Sequence, residues 1–212
     1  MKKWMVTALA AALLGPVCPI HAQSSAHAQA AAGAQAAVVH DDYAWMADVS
    51  GKHAHDLYAD PRFKKVVWSG FPHDDVHWMS GSHGRSLPAG VYYFALGGFL
   101  TYPGDDIRRT DAGGIAVDGY LQGSADASKW LFWSNAAPRR GDMIFAFISK
   151  SQDAGKERTG DLDIYTSRKD NLQALPADFM AVFKAWETKI GISGFNKATV
   201  HGAGVNQPIT GF

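Results

Sequence analysis

Apolar residues along this chain fall in short blocks bounded by Gly, Pro and Asp, and a helical period governs one long segment near the C-terminus. The longest apolar run of the body is Val91–Leu100, VYYFALGGFL, interrupted by Gly97 and Gly98. Leu87-Pro88-Ala89-Gly90 precedes it and Tyr102-Pro103-Gly104-Asp105 follows, so turn chemistry stands at both ends. A bounded run rich in aromatic and β-branched residues predicts a central strand, with the paired glycines marking a bulge or the close approach of another backbone. Further strands are predicted at Gly114–Leu121, where Ile115 and Val117 alternate with Ala116 and Asp118, and at the aromatic Lys129–Trp133. Met143–Ile148 is apolar on both faces and reads as a central strand. Ser149–Gly160 reads as a polar loop. Leu162, Ile164 and Thr166 alternate with Asp161, Asp163 and Tyr165, the pattern of a strand with one wet face.

Phe179, Val182, Phe183, Trp186 and Ile190 recur at steps of three and four, which predicts an amphipathic helix over Pro176–Ile190. Pro176 stands at its start, Asp178 in the first turn, Lys189 in the last and Gly191 just beyond. A second, shorter helix is expected from Asp60-Pro61, a cap followed by proline at the first helical position, running over Arg62–Val67 and stopped by Trp68-Ser69-Gly70-Phe71-Pro72. Strands followed by a helix predict the α+β class: one domain, a mainly antiparallel sheet with the C-terminal helix packed on it. A β-sandwich with a helical cap is the alternative. An outer-membrane barrel is excluded, because the terminal GAGVNQPITGF lacks the required alternation.

The N-terminus changes the picture from fold to compartment. Met1-Lys2-Lys3 is basic, Trp4–Leu14 is an apolar core, and small-residue cleavage motifs follow at Ile20-His21-Ala22 and Ala26-His27-Ala28. That layout predicts a signal peptide over residues 1–22, with cleavage as late as 28 as the alternative, and export to the periplasm or the exterior. Gly15 and Val17 flank Pro16 where a lipobox before Cys18 needs Leu and a small residue, which argues against a lipoprotein. Residues 23–38 are an Ala/Gln-rich tether, and the domain spans 39–212. With cleavage after Ala22 or Ala28, the mature chain has no cysteine and no disulfide.

Composition narrows the remaining choices. Eighteen of the 20 acidic residues are Asp, a turn former, which favours a loop- and strand-rich body. Formal net charge is +0 and basic residues are dispersed, so the electrostatic footprint of a nucleic-acid binder is absent. Neither phosphate-binding glycine motif occurs. Ser80-Gly81-Ser82-His83-Gly84 fails as a nucleophile elbow because Ser80 stands where Gly is required.

Two groups of residues carry candidate chemistry. His73, Asp75, His77 and His83 offer the imidazole and carboxylate ligands of a zinc site, although no known zinc spacing is present, and a solvated polar loop is the plainer explanation. His53-Ala54-His55-Asp56 is a second segment of the same kind. Trp68, Tyr102, Asp105, Arg108, Arg109, Arg139 and Arg140 stand by turns and are of the types that supply interface anchors or charge, so they are the expected partner-binding set. The resulting expectation is an exported, non-enzymatic binding protein without cofactor, such as an inhibitor or immunity protein for a cell-envelope enzyme. A zinc-dependent hydrolase built on the His73–His83 segment is the alternative, and a structural envelope component is a third.

Overall fold

Met143–Ile148, buried at every position, runs through the middle of an open sheet. The computed structural model describes residues 42–76, 85–92, 101–103, 106–121, 128–138, 141–154, 157–169, 171–172, 174–202 and 205–212. A 3₁₀ turn at Ala44–Val49 precedes helices α1 (Ala54–Ala59) and α2 (Pro61–Gly70), strands β1 (Asp75–Val76) and β2 (Arg85–Ser86), and helix α3 (Leu87–Gly90). Strands β3 (Thr101–Pro103), β4 (Arg108–Arg109), β5 (Ile115–Leu121), β6 (Lys129–Ser134), β7 (Met143–Ala154) and β8 (Glu157–Thr166) follow. Helix α4 (Ala177–Ile190) then leads to β9 (Gly194–Gly202) and β10 (Val205–Pro208).

Seven strands stand in the order β10-β9-β8-β7-β6-β5-β3, and β4 pairs with β5 beside β3. Among the described residues every pair is antiparallel except β8 and β9, whose parallel register, Ile164 opposite Val200, follows a crossover through α4. This is an α+β domain, and His40–Phe212 forms one unit by itself. The two ends of the strand order each carry a proline, Pro103 in β3 and Pro208 in β10.

Alternation sorts the sheet residues into two apolar layers. Ile115, Val117, Phe132, Phe145 and Phe147 join Met46, Leu57, Phe63 and Val67 of the N-terminal helices in one buried cluster. Ala116, Leu131, Trp133, Ile144 and Ile164 share the other with Phe179, Phe183 and Trp186 of α4. A fully buried side chain of this size contributes about 2–3 kcal/mol, so these rows dominate the stability of the unit. Asp178 accepts hydrogen bonds from Trp133 Nε1 at 3.0 Å and Thr110 Oγ1 at 2.7 Å, which fixes the first turn of α4. Gly191 ends the helix at φ 70°, a left-handed position suited to glycine.

Two expectations are corrected. The chain enters the Val91–Leu100 run in helical rather than extended conformation: α3 occupies Leu87–Gly90, and Val91 follows at φ −57° and ψ −48°. Pro88 sits in the first turn of α3, where its missing N–H costs nothing, so the Leu-Pro-Ala-Gly segment is itself helical and not a turn leading into a strand. Residues 93–100 lie outside the described residues. Ser149–Gly160, expected as a loop, is mostly strand, because β7 and β8 continue pairing past the register of β6 as a ribbon, with a shift between Ser149 and Gln152. Among the described residues β6 does not extend along Ser149–Ala154, so that side of the ribbon imposes no apolar alternation and its sequence reads as polar loop.

Candidate functional site

Helix α2 organises the candidate site. Asp60 caps it, its carboxylate accepting from Arg62 N at 2.9 Å, and Pro61 opens the first turn. The same carboxylate is gripped by the Arg62 guanidinium, with Nη2 to Oδ2 at 2.7 Å. That hydrogen bond holds the Asp60 carboxyl below its ordinary value and raises Arg62 in return. Arg62 also lies 4.4 Å from the Trp45 ring centroid.

Phe63, Val66 and Val67 turn inward, and Phe63 meets Phe132 of the sheet edge-on at 5.6 Å. Lys64 and Trp68, neighbours at a spacing of four, flank that inward face. Trp68 and Tyr92 stand nearly perpendicular, 76° apart with centroids at 5.4 Å, and Tyr58 of α1 stacks on Tyr92 at 4.6 Å. Lys64 Nζ sits in the corner, 5.4 Å from the Trp68 ring and 5.7 Å from the Tyr92 ring. His55 extends the row, 6.4 Å from Tyr58. Tyr58, Trp68 and Tyr92 are all half-buried against the N-terminal core, so the surface is aromatic, rigidly backed and partly open.

The residues singled out from sequence are dispersed over this fold. Trp68 belongs to the aromatic surface. Tyr102 lies in β3 opposite Tyr120, and Arg108 and Arg109 form β4 opposite Ala116 and Ile115, so those three share the β5 side of the sheet. Arg109 is exposed. Arg108 donates from Nη1 to Asp118 Oδ1 at 2.8 Å, while Lys189 Nζ reaches Asp118 Oδ2 at 2.8 Å. Asp118 is 4% exposed and thus joins β4, β5 and the end of α4 through one buried carboxylate. Asp105, Arg139 and Arg140 lie outside the described residues.

His73 is exposed, and its Nε2 lies 3.0 Å from the Trp68 carbonyl. A carbonyl only accepts, so Nε2 carries the hydrogen and caps a carbonyl in the last turn of α2, leaving Nδ1 as acceptor or ligand. Asp75 is in β1, opposite Ser86. His77 and His83 lie outside the described residues, and among the described residues no three ligand-type side chains gather. His53 caps α1 and pairs with Asp106 at 2.5 Å.

Sequence reading passed over two constellations. Tyr58 and Tyr92 come to Trp68 from separate helical turns, and Tyr92 was hidden in a run read as strand; the spacing of Lys64 and Trp68 was the available signal. The other is His201, with Nε2 2.7 Å from Asp163 Oδ1 and Nδ1 2.8 Å from Asn206 Oδ1. Both partners present oxygens, so a doubly protonated ring donates to both, and a neutral ring keeps both bonds when Asn206 turns its NH₂ toward Nδ1. This cluster ties β8, β9 and β10 together. Compared with protein-family models, curated proteins and solved structures, the chain finds no match. Among the described residues no helix is long and apolar enough to cross a membrane.

Proposed function

We propose that this chain is an exported binding protein without catalytic activity, which engages another protein of the cell envelope through the aromatic surface of α1, α2 and Tyr92. The observation that carries this reading is the half-buried Tyr58–Tyr92–Trp68 row with Lys64 in its corner, since large aromatics backed by a core are the usual anchors of an interface. Export rests on the basic start, apolar core and small-residue motifs of the first 28 residues, and the tether over 23–38 would give the domain reach. Exposed Arg109 supplies a secondary surface. An inhibitor or immunity role toward a cell-envelope enzyme fits such a body. In this reading α4 serves as the cover of the second sheet face, supported by the Trp133–Phe179 and Trp133–Asp178 contacts.

The test is capture by cross-linking in isolated envelopes, with the chain from Val39 onward and its Trp68→Ala variant, both checked for native fold by circular dichroism. A protein held by the first and lost by the second, and inhibited by it if an enzyme, is the expected result. No Trp68-dependent partner sinks this reading. About one equivalent of zinc on the same chain, lost in His73→Ala/His77→Ala, would replace it with the metal-dependent hydrolase.

A further inference from the structure

Lys64 is an exposed cation that has settled on rings instead of carboxylates. No ion pair to its ammonium occurs among the described residues, whereas the neighbouring Arg62 over Trp45 is held by Asp60 as well. The Trp68 and Tyr92 centroids and Lys64 Nζ form a nearly equilateral triangle of 5.4, 5.4 and 5.7 Å. Two perpendicular aromatic walls present their electron-rich faces to one point, which is the geometry that holds an ammonium group. Tyr58 stacked behind Tyr92, and Phe63 at 6.2 Å from it, keep that wall from turning away.

We propose that the Trp68–Tyr92 corner is an alkylammonium-binding site whose resting occupant is Lys64, and that a ligand ammonium enters by displacing it. The proposal rests on the binding-protein reading above and deepens it by naming the chemistry recognised. The helical layer does not repel a cation: residues 42–74 hold five Asp against four Lys and Arg, and Asp42 and Asp48 both act on Arg62. Lys64 on its four-carbon stem swings into water at little cost, since an exposed cation–π contact is weak. Displacement therefore leaves the core beneath the two rings undisturbed.

A lysine of a partner protein and a choline-type group share this chemistry, so the experiment uses both as probes. The Trp68 indole N–H, assigned through Trp68→Phe, is followed by NMR in the full domain while choline, its neutral isostere 3,3-dimethylbutan-1-ol, or Nα-acetyl-lysine methylamide is added at constant ionic strength. The expected result is a saturable shift with an ammonium probe and none with the neutral isostere. Lys64→Ala should tighten the apparent Kd about two- to five-fold by removing the competitor, and Tyr92→Leu should abolish saturation. A tighter response to choline assigns a quaternary ammonium, and a tighter response to the lysine derivative assigns a protein lysine. No saturable shift in either protein, an equal response to the neutral isostere, or no gain in Lys64→Ala overturns the site. These failures leave partner capture by the wider surface standing, and failure of capture leaves this titration readable.

Discussion

Tyr165 and His201 are register partners across the parallel pair β8–β9, and their rings stack at 4.6 Å with 15° between planes. Tyr165 belongs to the buried layer with Phe145, while the His201 side chain is 18% exposed, so the stack marks where the apolar core gives way to polar side chains. Stacking and hydrogen bonding can be separated here. His201→Phe keeps a ring over Tyr165 and loses two hydrogen bonds, which predicts a loss of about 1–2 kcal/mol. His201→Ala loses the ring as well and should cost about 0.5–1.5 kcal/mol more. Urea unfolding of the two variants checks the order, and equal midpoints would refute it.

Asp118 predicts an asymmetry between removing a buried charge and stranding it. Arg108 and Lys189 are 38% and 41% exposed, so water can take over their charges when the carboxylate is gone. Asp118→Ala should cost about 1–3 kcal/mol. The double change Arg108→Ala/Lys189→Ala leaves a carboxylate that is 4% exposed without either cation and should cost about 3–5 kcal/mol. Denaturant titration decides, and a milder double variant would sink the argument.

Acid should weaken the start of α2. The Arg62 hydrogen bond holds the Asp60 carboxyl below 3.8, lower than in the unfolded chain. A carboxyl depressed by folding contributes stability that is complete above its unfolded value and is lost as pH falls through the folded one. Unfolding midpoints taken between pH of about 6 and about 2.5 should therefore fall less steeply for Asp60→Asn, which still caps the helix, than for the parent chain. Parallel curves would count against it.

Gly141 and Gly70 both approach Tyr43, with unequal consequences. A Cβ at Gly141 would lie on the Tyr43 ring, which is 2% exposed and has no room to retreat. A Cβ at Gly70 would meet first the terminal methyl of Met143, a flexible group that can turn aside, although the Tyr43 hydroxyl is also close. Gly141→Ala should lose about 2–4 kcal/mol and Gly70→Ala about 1–2 kcal/mol by thermal unfolding.

The strands that were legible from sequence are those whose neighbours impose a pattern. Met143–Ile148 lies between β6 and β8 with an apolar layer on each face and so reads as an apolar block, and the stripe of Phe179, Phe183 and Trp186 marks α4 by period alone. The β7–β8 ribbon was missed where β7 runs on past its pairing with β6. Strand β9 was missed because its partner comes from across α4, and its start, Gly194-Phe195-Asn196-Lys197, has little alternation. Of the candidate site, Trp68 was visible as an aromatic by a turn. Its relation to Tyr58 and Tyr92 was not, because it depends on how three helical turns meet. The Asp118 link joins residues 71 apart in sequence and leaves no local trace.

Pro103 and Pro208 stand in the strands at opposite ends of the sheet order. Neither has an N–H to offer an incoming strand. At each end of that order one position cannot continue the ladder, which works against edge-to-edge pairing between copies of the domain.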